Sequence, residues 1–494
     1  MPCEWAAPYV VVIPIDDDQD GDDMFDAHTP RWLVLVGALL LFLAACGSET
    51  TTADTADTAD TADTADTADT ADTADTADTA DTAEAADAAD AAAPADTTAP
   101  ADTAETSDSP AVEESPAEPV TADAAVEPNF ELTGELELTT AEINDMVAFV
   151  EQSAGREFVT PPIIQIVSVE EFEAGLTPDE EFQALIDANS ETSARFMQAL
   201  GHTTLNSNEL EAAFADLRSS TDLISGRYDP WTDEVLIPEG VLVGDDFDAI
   251  LVHELLHALD DQYVDLGALL DEVGDLAAEE VSRDRAFQIA AVVEGRATTT
   301  QFEWMQANGV IPGQPEIPES FNEVPASALN EVVLPYQLGA QSIFQLGGVE
   351  ATWELYEEFP ASSEQMVFPN RIGTDEPIAV APPAVDGEVF AEGVLGVEGM
   401  LLLGIGNTLE PSQVEIISAI TAAEGWGGDY YVLTGDEAES CLSVSIVADT
   451  EQDLAELSDM FTEWAGRENV HTTERSATVD GDTLSIRSCA PFIS

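Results

Sequence analysis

Hydrophobic positions recur at a helical period along much of the chain after residue 138. Between them, the apolar run Ile163–Val167 is rich in β-branched residues and predicts a strand. A long helix is predicted over 276–307, from Glu-rich sequence to Asn308-Gly309. The shorter segments that favour helix are 138–153, 169–175, 178–200, 208–217 and 246–262. The pattern therefore predicts a mostly helical body with few strands.

Turn residues and strand-forming runs locate the remaining elements. Asp229-Pro-Trp-Thr-Asp233 separates two β-prone arms, so we expect a hairpin over 225–237. Pro-rich loops and shorter helices are expected over 310–392. The last part of the chain predicts a β-β-α-β order, with strands at 430–434, 441–448 and 483–488 and a helix at 451–467. The expected fold class is thus α+β.

The N-terminal part shows no apolar periodicity. From Thr52 the tripeptide Thr-Ala-Asp repeats in tandem and then decays into Ala, Asp, Thr, Pro and Glu up to Pro128. Such sequence buries nothing and its like charges repel, so we expect a long disordered linker over 47–128. It serves either as a spacer that carries the body past a cell wall, or as a repeat expanded by replication slippage whose length is unimportant.

Residues 1–46 are typical of a secretory signal. Arg31 precedes an apolar run over 32–45, and small residues lead to Cys46. The run is too short for a spanning helix, which needs about 20 apolar residues. Leu43-Ala-Ala-Cys46 resembles the bacterial lipobox, which predicts lipidation of Cys46 and an exported chain anchored to the outer face of the cell membrane. We expect Met24 to be the true start.

Charge narrows the classes of partner. The chain has 12 basic and 101 acidic residues, a formal net charge of −89, and no Lys. A surface this acidic repels nucleic acid and anionic membranes, so no nucleic-acid partner is expected. A saline habitat explains the surplus of acid, whereas codon bias explains only the missing Lys.

Two cysteines remain in the predicted body. Cys441 lies in one predicted strand and Cys489 directly follows another. In an exported chain an even pair predicts a disulfide, with two buried free thiols as the alternative.

The motif His253-Glu254-Leu-Leu-His257 carries the clearest chemistry. Residues four apart share one face of a helix, so both imidazoles reach the same ion, and two neutral imidazoles suit Zn²⁺. Glu254 stands beside them, where it can accept a proton from water. A catalytic zinc site needs a third protein ligand and an open position.

Glu294 is the predicted third ligand, because it follows the apolar stretch Ile289–Val293 on a helix that must pack on the core. A buried carboxylate there needs a cation, either zinc or a salt bridge to Arg283 or Arg296. Asp284, three turns earlier, either supports a ligating histidine from behind or pairs with a surface arginine.

These motifs resemble gluzincin peptidases, and more closely a poorly characterised set of bacterial lipoprotein or secreted metallopeptidases. The shared segments are HELLHALDDQYVDL (253–266), EGRA (294–297), LPYQLG (334–339), PASSEQMVFP (360–369) and GWGGD (425–429). Leu334 and Phe368 depart from the pattern, which often has an aromatic residue and a histidine there. The resemblance implies a zincin-like core, with His253, His257 and Glu294 on zinc and Glu254 as base.

We therefore expect a metallopeptidase domain over 129–392, followed by an α+β region over 393–494 that is either separate or part of the catalytic body. The expected function is hydrolysis of peptides or proteins. The alternatives are a binding lipoprotein with a degenerate zinc site, or a zinc amidase of cell-wall bonds. Tyr336, Arg371 and Tyr263 are candidates to stabilise the oxyanion. By analogy with zincins, the strand Val235–Ile237 is the expected edge for substrate.

Overall fold

The computed structural model describes residues 127–494 except 135, 137, 177–179, 219–225, 241–244, 280–282, 311–323, 409–410 and 412. Over these residues the fold is α+β and mostly helical, with 13 α-helices and two sheets. The α-helices are α1 (Thr140–Ala154), α2 (Val169–Leu176), α3 (Glu180–Ala199), α4 (Ser207–Arg218), α5 (Asp245–Asp261), α6 (Leu266–Glu279), α7 (Arg283–Asn308), α8 (Ala326–Gln345), α9 (Glu354–Glu357), α10 (Ser363–Val367), α11 (Gly396–Ile405), α12 (Gln413–Ala423) and α13 (Glu451–Gly466). The strands are β1 (Glu131–Thr133), β2 (Ile163–Val167), β3 (Arg227–Asp229), β4 (Glu234–Pro238), β5 (Glu388–Gly393), β6 (Trp426–Gly435), β7 (Glu439–Ala448), β8 (Glu474–Asp480) and β9 (Thr483–Pro491).

The first sheet has the order β1-β2-β4-β3, and its last two strands form the predicted hairpin. β4 pairs in parallel with β2 and antiparallel with β3, so both of its edges are occupied. The prediction that Val235–Ile237 is the free edge was therefore wrong. β3 is the edge strand on that side of the sheet.

The second sheet is antiparallel throughout, with the order β5-β6-β7-β9-β8. It contains the three strands of the predicted β-β-α-β order, which are β6, β7 and β9. It also contains β5 and β8, which the sequence pattern did not reveal. β8 is a largely exposed edge strand whose face carries charged and small residues, so it lacks an alternating apolar signal. Cys441 and Cys489 face each other in the register of β7 and β9 and are joined by a disulfide.

The predicted regions 276–307 and 310–392 each contain a long helix. The predicted helix over 276–307 corresponds to the end of α6, which is described up to Glu279, and to α7, which is described from Arg283. The Pro-rich stretch over 310–392 contains the 20-residue helix α8, with Pro335 in its interior. Proline usually interrupts a helix by removing a backbone donor. Here Pro335 is buried where α8 packs along α7, and the tertiary contacts stabilise the helix.

The hydrophobic core surrounds α5 and reaches the second sheet. Leu251, Leu255 and Leu259 of α5 are completely buried in one cluster that also includes Leu433 and Ile486 of the sheet. All residues from 251 to 260 are buried, on every face of α5, so this part of the helix lies inside the body. Side chains on such a helix have fixed surroundings, which suits a site that needs fixed geometry.

A glycine crossing sets the distance between α7 and α8. A Cβ atom on Gly295 would lie 2.4 Å from the carbonyl carbon of Gly339, and one on Gly339 would lie 2.2 Å from the carbonyl oxygen of Ala291. Only glycine permits backbones this close. The EGRA and LPYQLG motifs thus meet in space.

Cys46, the signal over 1–46 and nearly all of the linker over 47–128 lie outside the described residues. Within the part of the chain that the structure describes, no helix combines the length and apolar character needed to cross a membrane.

Candidate metal centre

The two histidines of the motif project from α5 toward one point. His253 and His257 are each 8% exposed, and their Nε2 atoms lie 3.1 Å apart. The apolar flanks that bury α5 also fix the direction of both rings. One ion can therefore contact both nitrogen atoms, as the spacing predicts.

Glu294 of α7 completes a set of three. Its Oε2 lies 3.3 Å from Nε2 of His253 and 3.5 Å from Nε2 of His257. This oxygen is buried and has no hydrogen bond of acceptable geometry. A buried carboxylate oxygen that faces two imidazole nitrogens without a hydrogen bond fits a metal ligand. We call His253, His257 and Glu294 the metal centre.

The two arginines that competed for Glu294 have other partners. Arg283 pairs with Glu331, and the fully buried Arg296 forms two hydrogen bonds with Asp260, at 2.8 and 3.0 Å. The salt-bridge interpretation of Glu294 was therefore wrong. The only cationic groups that the structure shows beside Glu294 are the two histidines, and only if they are protonated.

Protonation of the metal centre reflects this proximity. Burial by itself lowers the pKa of His257, but the facing Glu294 carboxylate, together with Glu254 and Asp260, outweighs burial and raises that pKa to about 9. Burial likewise opposes ionisation of Glu294, yet both imidazoles hold its pKa well below the ordinary value. In the absence of metal, a proton on His257 thus supplies the positive charge that faces Glu294. A divalent ion that binds here must displace that proton.

Glu254 lies beside the metal centre and is held by the backbone of the edge strand. The amide nitrogen of Tyr228 in β3 donates to Oε2 of Glu254 at 2.7 Å. The Tyr228 hydroxyl in turn donates to Asp261 at 2.7 Å, which ties β3 to the end of α5. The carboxylate of Glu254 is thereby oriented, while its other oxygen has no partner in the described hydrogen bonds.

Tyr336 on α8 covers the open side of the metal centre. Its ring stacks on His253 with the centroids 6.1 Å apart and the planes 17° apart, and 37% of the residue is exposed. The charge of Glu294, then burial, then Glu254 raise the pKa of Tyr336 well above 10, and the proximity of the Tyr336 hydroxyl to Glu294 adds to this shift. The hydroxyl therefore remains a protonated donor at neutral pH. Of the three oxyanion candidates, Tyr336 is the one that reaches the metal centre.

The other two candidates lie elsewhere. The Tyr263 hydroxyl donates to the carbonyl of Glu157 at 2.6 Å. Arg371 contacts a group of three acidic residues, at 3.3 Å from Glu364, 2.8 Å from Asp449, and in close contact with Asp375. We call this group the arginine-filled cluster. Arg371 is therefore an internal counter-ion, and both predictions of an oxyanion role were wrong.

Asp284 is buried, and neither imidazole is among its contacts. It accepts hydrogen bonds from the backbone and hydroxyl of Ser363, and from Gln288 at 2.7 Å. Neither a histidine nor a surface arginine is its hydrogen-bond partner, so both predictions for Asp284 were wrong. The PASSEQMVFP segment that contains Ser363 thus supports the N-terminal end of α7.

A buried clamp joins the two helices that carry the metal centre. Asp260 of α5 binds the guanidinium of Arg296 on α7 and accepts from the hydroxyl of Tyr356 at 2.8 Å. Arg296 also donates to the carbonyl of Val349 at 2.6 Å and to Thr352 at 2.8 Å. The clamp is three residues from His257 and two from Glu294, so it fixes the separation of the ligands.

Sequence reasoning missed this clamp, although a signal was present. Asp260 follows His257 by three residues on a helix whose inward positions outside the His253–His257 motif are apolar. A carboxylate at such a position requires a buried cation. Arg296, which follows Glu294, was the available one.

The structure contains two further groups of potential metal ligands among its described residues. One is the arginine-filled cluster, and the other combines Glu439 with Cys441 and Cys489. The second has no thiolate to offer, because both sulfurs form the disulfide. The metal centre is thus the group with two imidazoles and an acid that no arginine neutralises.

Comparison of the chain with protein-family models, with curated proteins and with solved structures found no match.

Proposed function

We propose that this protein is a zinc metallopeptidase with a zincin-like site. The observation that carries the proposal is the buried Oε2 of Glu294, which faces two imidazole nitrogens at 3.3 and 3.5 Å and lacks a hydrogen bond. Two histidines and one carboxylate are a ligand set of catalytic zinc, since a structural site usually has four protein ligands. An adjacent acid that is not a ligand is what hydrolysis requires in addition.

His253, His257 and Glu294 are the residues that would hold the ion. When bound, zinc supplies Lewis acidity that activates water and a peptide carbonyl. Glu254 accepts a proton from the attacking water and returns it to the leaving amine, as a general base and then acid. The hydrogen bond from the Tyr228 amide keeps the Glu254 carboxylate in place for both transfers.

Tyr336 supplies a second polar contact. A hydroxyl that remains protonated beside the metal centre can donate a hydrogen bond to the oxyanion that forms at the attacked carbonyl. The edge strand β3 lies directly beside Glu254 and offers backbone groups to an extended peptide. The edge strand favours an extended polypeptide substrate over a small ester or amide.

The activity test uses the full chain with a mixture of unstructured peptides, before and after removal of metal with a chelator. We expect cleavage that stops on chelation and returns when zinc is added. Zinc-loaded protein that cleaves none of the peptides would reject the peptidase proposal. The same preparation should then be tested on cell-wall fragments, which separates an amidase from a binding protein.

We also propose that the chain is exported and anchored through lipid on Cys46. The supporting observation is the Leu43-Ala-Ala-Cys46 sequence after an apolar run. In a bacterial host, labelled fatty acid should appear in the wild-type chain and be absent from Cys46→Ser. Equal labelling of the two chains would contradict the proposal.

A further inference from the structure

A cavity of about 330 Å³ lies between α3, α7 and α8. It begins within one helical turn of the metal centre, because Ala290 on its wall is four residues before Glu294 on α7. Pro335 on the facing wall is next to Tyr336. A substrate residue close to the scissile bond would therefore lie within reach of this end of the cavity.

The cavity has apolar walls along most of its length. Phe196, Phe287 and Ala290 line it, and Tyr431 of β6 contributes from the sheet. Asn189, Thr192 and Ser193 of α3 add polar groups to the lining. A long aliphatic stem suits these walls, since apolar surface there is removed from water on binding.

Charged groups in the same cavity are unbalanced. Two acids, Glu331 and Glu398, line it together with one base, Arg283. Arg283 pairs with Glu331 and its guanidinium lies 4.8 Å from the ring centroid of Phe196. Glu398 is 5% exposed, and no arginine other than Arg283 contributes to its surroundings in the described structure. One carboxyl group thus lacks a cation of its own.

We propose that this cavity is the pocket for a basic side chain of the substrate, a guanidinium or an ammonium on an aliphatic stem. The pocket defines the substrate class of the proposed peptidase and rests on that proposal. A second cation in the cavity would give each of the two acids one positive partner. An acidic substrate side chain would instead face two carboxyl groups and an arginine that is already paired.

The protonation of Glu398 agrees with this assignment. Burial, and next the nearby Glu331, raise the pKa of Glu398 well above its ordinary value, although Arg283 acts in the opposite direction. The unoccupied pocket therefore favours the neutral acid. A bound cation stabilises the carboxylate, so that the acid and the ligand form a buried, charge-assisted pair.

Two features of the whole chain are compatible with a preference for basic residues. A formal net charge of −89 attracts cationic peptides over long distances. The sequence has no Lys or Arg between Arg31 and Arg156, so a peptidase of this specificity finds no preferred cleavage position in the expected linker.

The test compares peptides that differ at one residue, which is Arg, Lys, citrulline, norleucine or Glu. Citrulline keeps the shape of Arg without its charge. We expect kcat/KM to be at least about tenfold higher for Arg and Lys than for the three other residues. Glu398→Gln and Glu331→Gln should each reduce this ratio strongly. The matched control Glu388→Gln removes one acid from an exposed position on β5 and should leave the ratio unchanged.

Binding of argininamide and citrullinamide to the full chain, measured by calorimetry, separates this proposal from the peptidase proposal. If no peptide is cleaved, the peptidase proposal fails alone, and the pocket is still supported when argininamide binds wild type better than citrullinamide and Glu398→Gln removes the difference. Equal binding of the two amides overturns the pocket. So does equal cleavage of Arg and citrulline peptides, or a preference for Arg that both pocket variants retain.

Discussion

The metal centre and the arginine-filled cluster both place carboxylate groups inside a strongly acidic protein. They differ in the group that compensates the negative charge. Each brings three potential ligands together, and each contains a buried carboxylate oxygen without a hydrogen bond. In the arginine-filled cluster, Arg371 contacts all three acids and supplies the positive charge. At the metal centre the nearby Arg296 is committed to Asp260, and no arginine contacts Glu294 among the described ion pairs.

This difference shows that proximity of acids does not by itself indicate a metal site. What distinguishes the metal centre is the type of ligand and the missing cation. Two imidazoles with one carboxylate favour zinc, whereas three carboxylates around an arginine form a closed structural group. The chain has few arginines. One of them, Arg371, forms an ion pair with Glu364 of α10.

The largest expected effect is the loss of peptide hydrolysis in the variant Glu254→Gln. Loss of the general base should lower kcat by about 10²–10⁴-fold while zinc content is retained, because Glu254 is not a ligand. The matched substitution at the other cluster is Glu364→Gln. Burial outweighs Arg371 there and raises the pKa of Glu364 to about 9, so the neutral amide resembles the neutral acid at pH 7.

Peptide hydrolysis and bound zinc should be measured for both variants. Unchanged activity in Glu254→Gln, or an equal loss in Glu364→Gln, would contradict the division of roles between the two sites.

A second prediction compares the ion pairs of the two regions. Asp260→Asn leaves the buried Arg296 without its charge partner and should reduce the free energy of unfolding by about 3–5 kcal/mol. Asp449→Asn weakens a partly exposed contact of Arg371 and should cost about 1 kcal/mol or less. Denaturant unfolding of the two variants tests this. Similar losses would show that the clamp stabilises the fold no more than the partly exposed ion pair does.

The clamp also gives a prediction for metal binding. Because Asp260 positions His257 and Glu294, zinc affinity in Asp260→Asn should fall by about 10–100-fold, as is usual when support behind a ligand is lost. A competition titration with a chromophoric chelator measures this. Zinc affinity equal to that of wild type would mean that the clamp stabilises the fold alone.

Tyr336→Phe tests the open side of the metal centre. Removal of one oxyanion donor should lower kcat by about 10²–10³-fold with zinc content and KM little changed. Tyr263→Phe is the matched control, since its hydroxyl contacts the carbonyl of Glu157 instead. A normal kcat for Tyr336→Phe would remove Tyr336 from the reaction.

A further expected effect is on the pH dependence of stability in the metal-free protein. The folded pKa of His257 is raised from 6.5 to about 9, so its stabilising contribution is complete below about pH 6.5 and lost as pH rises through 9. The pKa of Glu294 is lowered, so its contribution is present above about pH 4.5. Between pH 6 and 9.5, wild type should lose up to about 3 kcal/mol more than His257→Asn.

Urea unfolding in the presence of a chelator measures this difference, and bound zinc should remove it because the ion replaces the proton. A wild type and a His257→Asn variant with parallel pH dependence would show that the two imidazoles and Glu294 do not interact as described.

The elements that sequence could predict are those with a strong local signal. The strand Ile163–Val167, the hairpin and the helix that carries the two histidines are found where expected, because apolar periodicity and turn residues determine them. Shorter helices were expected over 310–392, but the position of α8 was not predicted, because Pro335 disfavours a helix locally and packing on α7 overrides that preference. Strand β8 was missed because it is an edge with little apolar character.

The same distinction applies to the candidate site. His253, Glu254 and His257 follow from spacing on one helix, and Glu294 from a buried position on another. The roles proposed from sequence for Asp284, Arg371 and Tyr263 required a knowledge of their long-range partners. Ser363, Asp449 and Glu157 are 79, 78 and 106 residues away from them, respectively. Side chains that act through distant contacts were therefore not accessible from sequence pattern.

The central claim is that His253, His257 and Glu294 hold zinc. The most direct measurement is the metal content of the purified full chain, for wild type, Glu294→Ala and Asp375→Ala. We predict about one zinc per chain in wild type and in Asp375→Ala, and a clear loss in Glu294→Ala. Wild type without zinc after exposure to the ion, or Glu294→Ala with the full zinc content, would contradict the account.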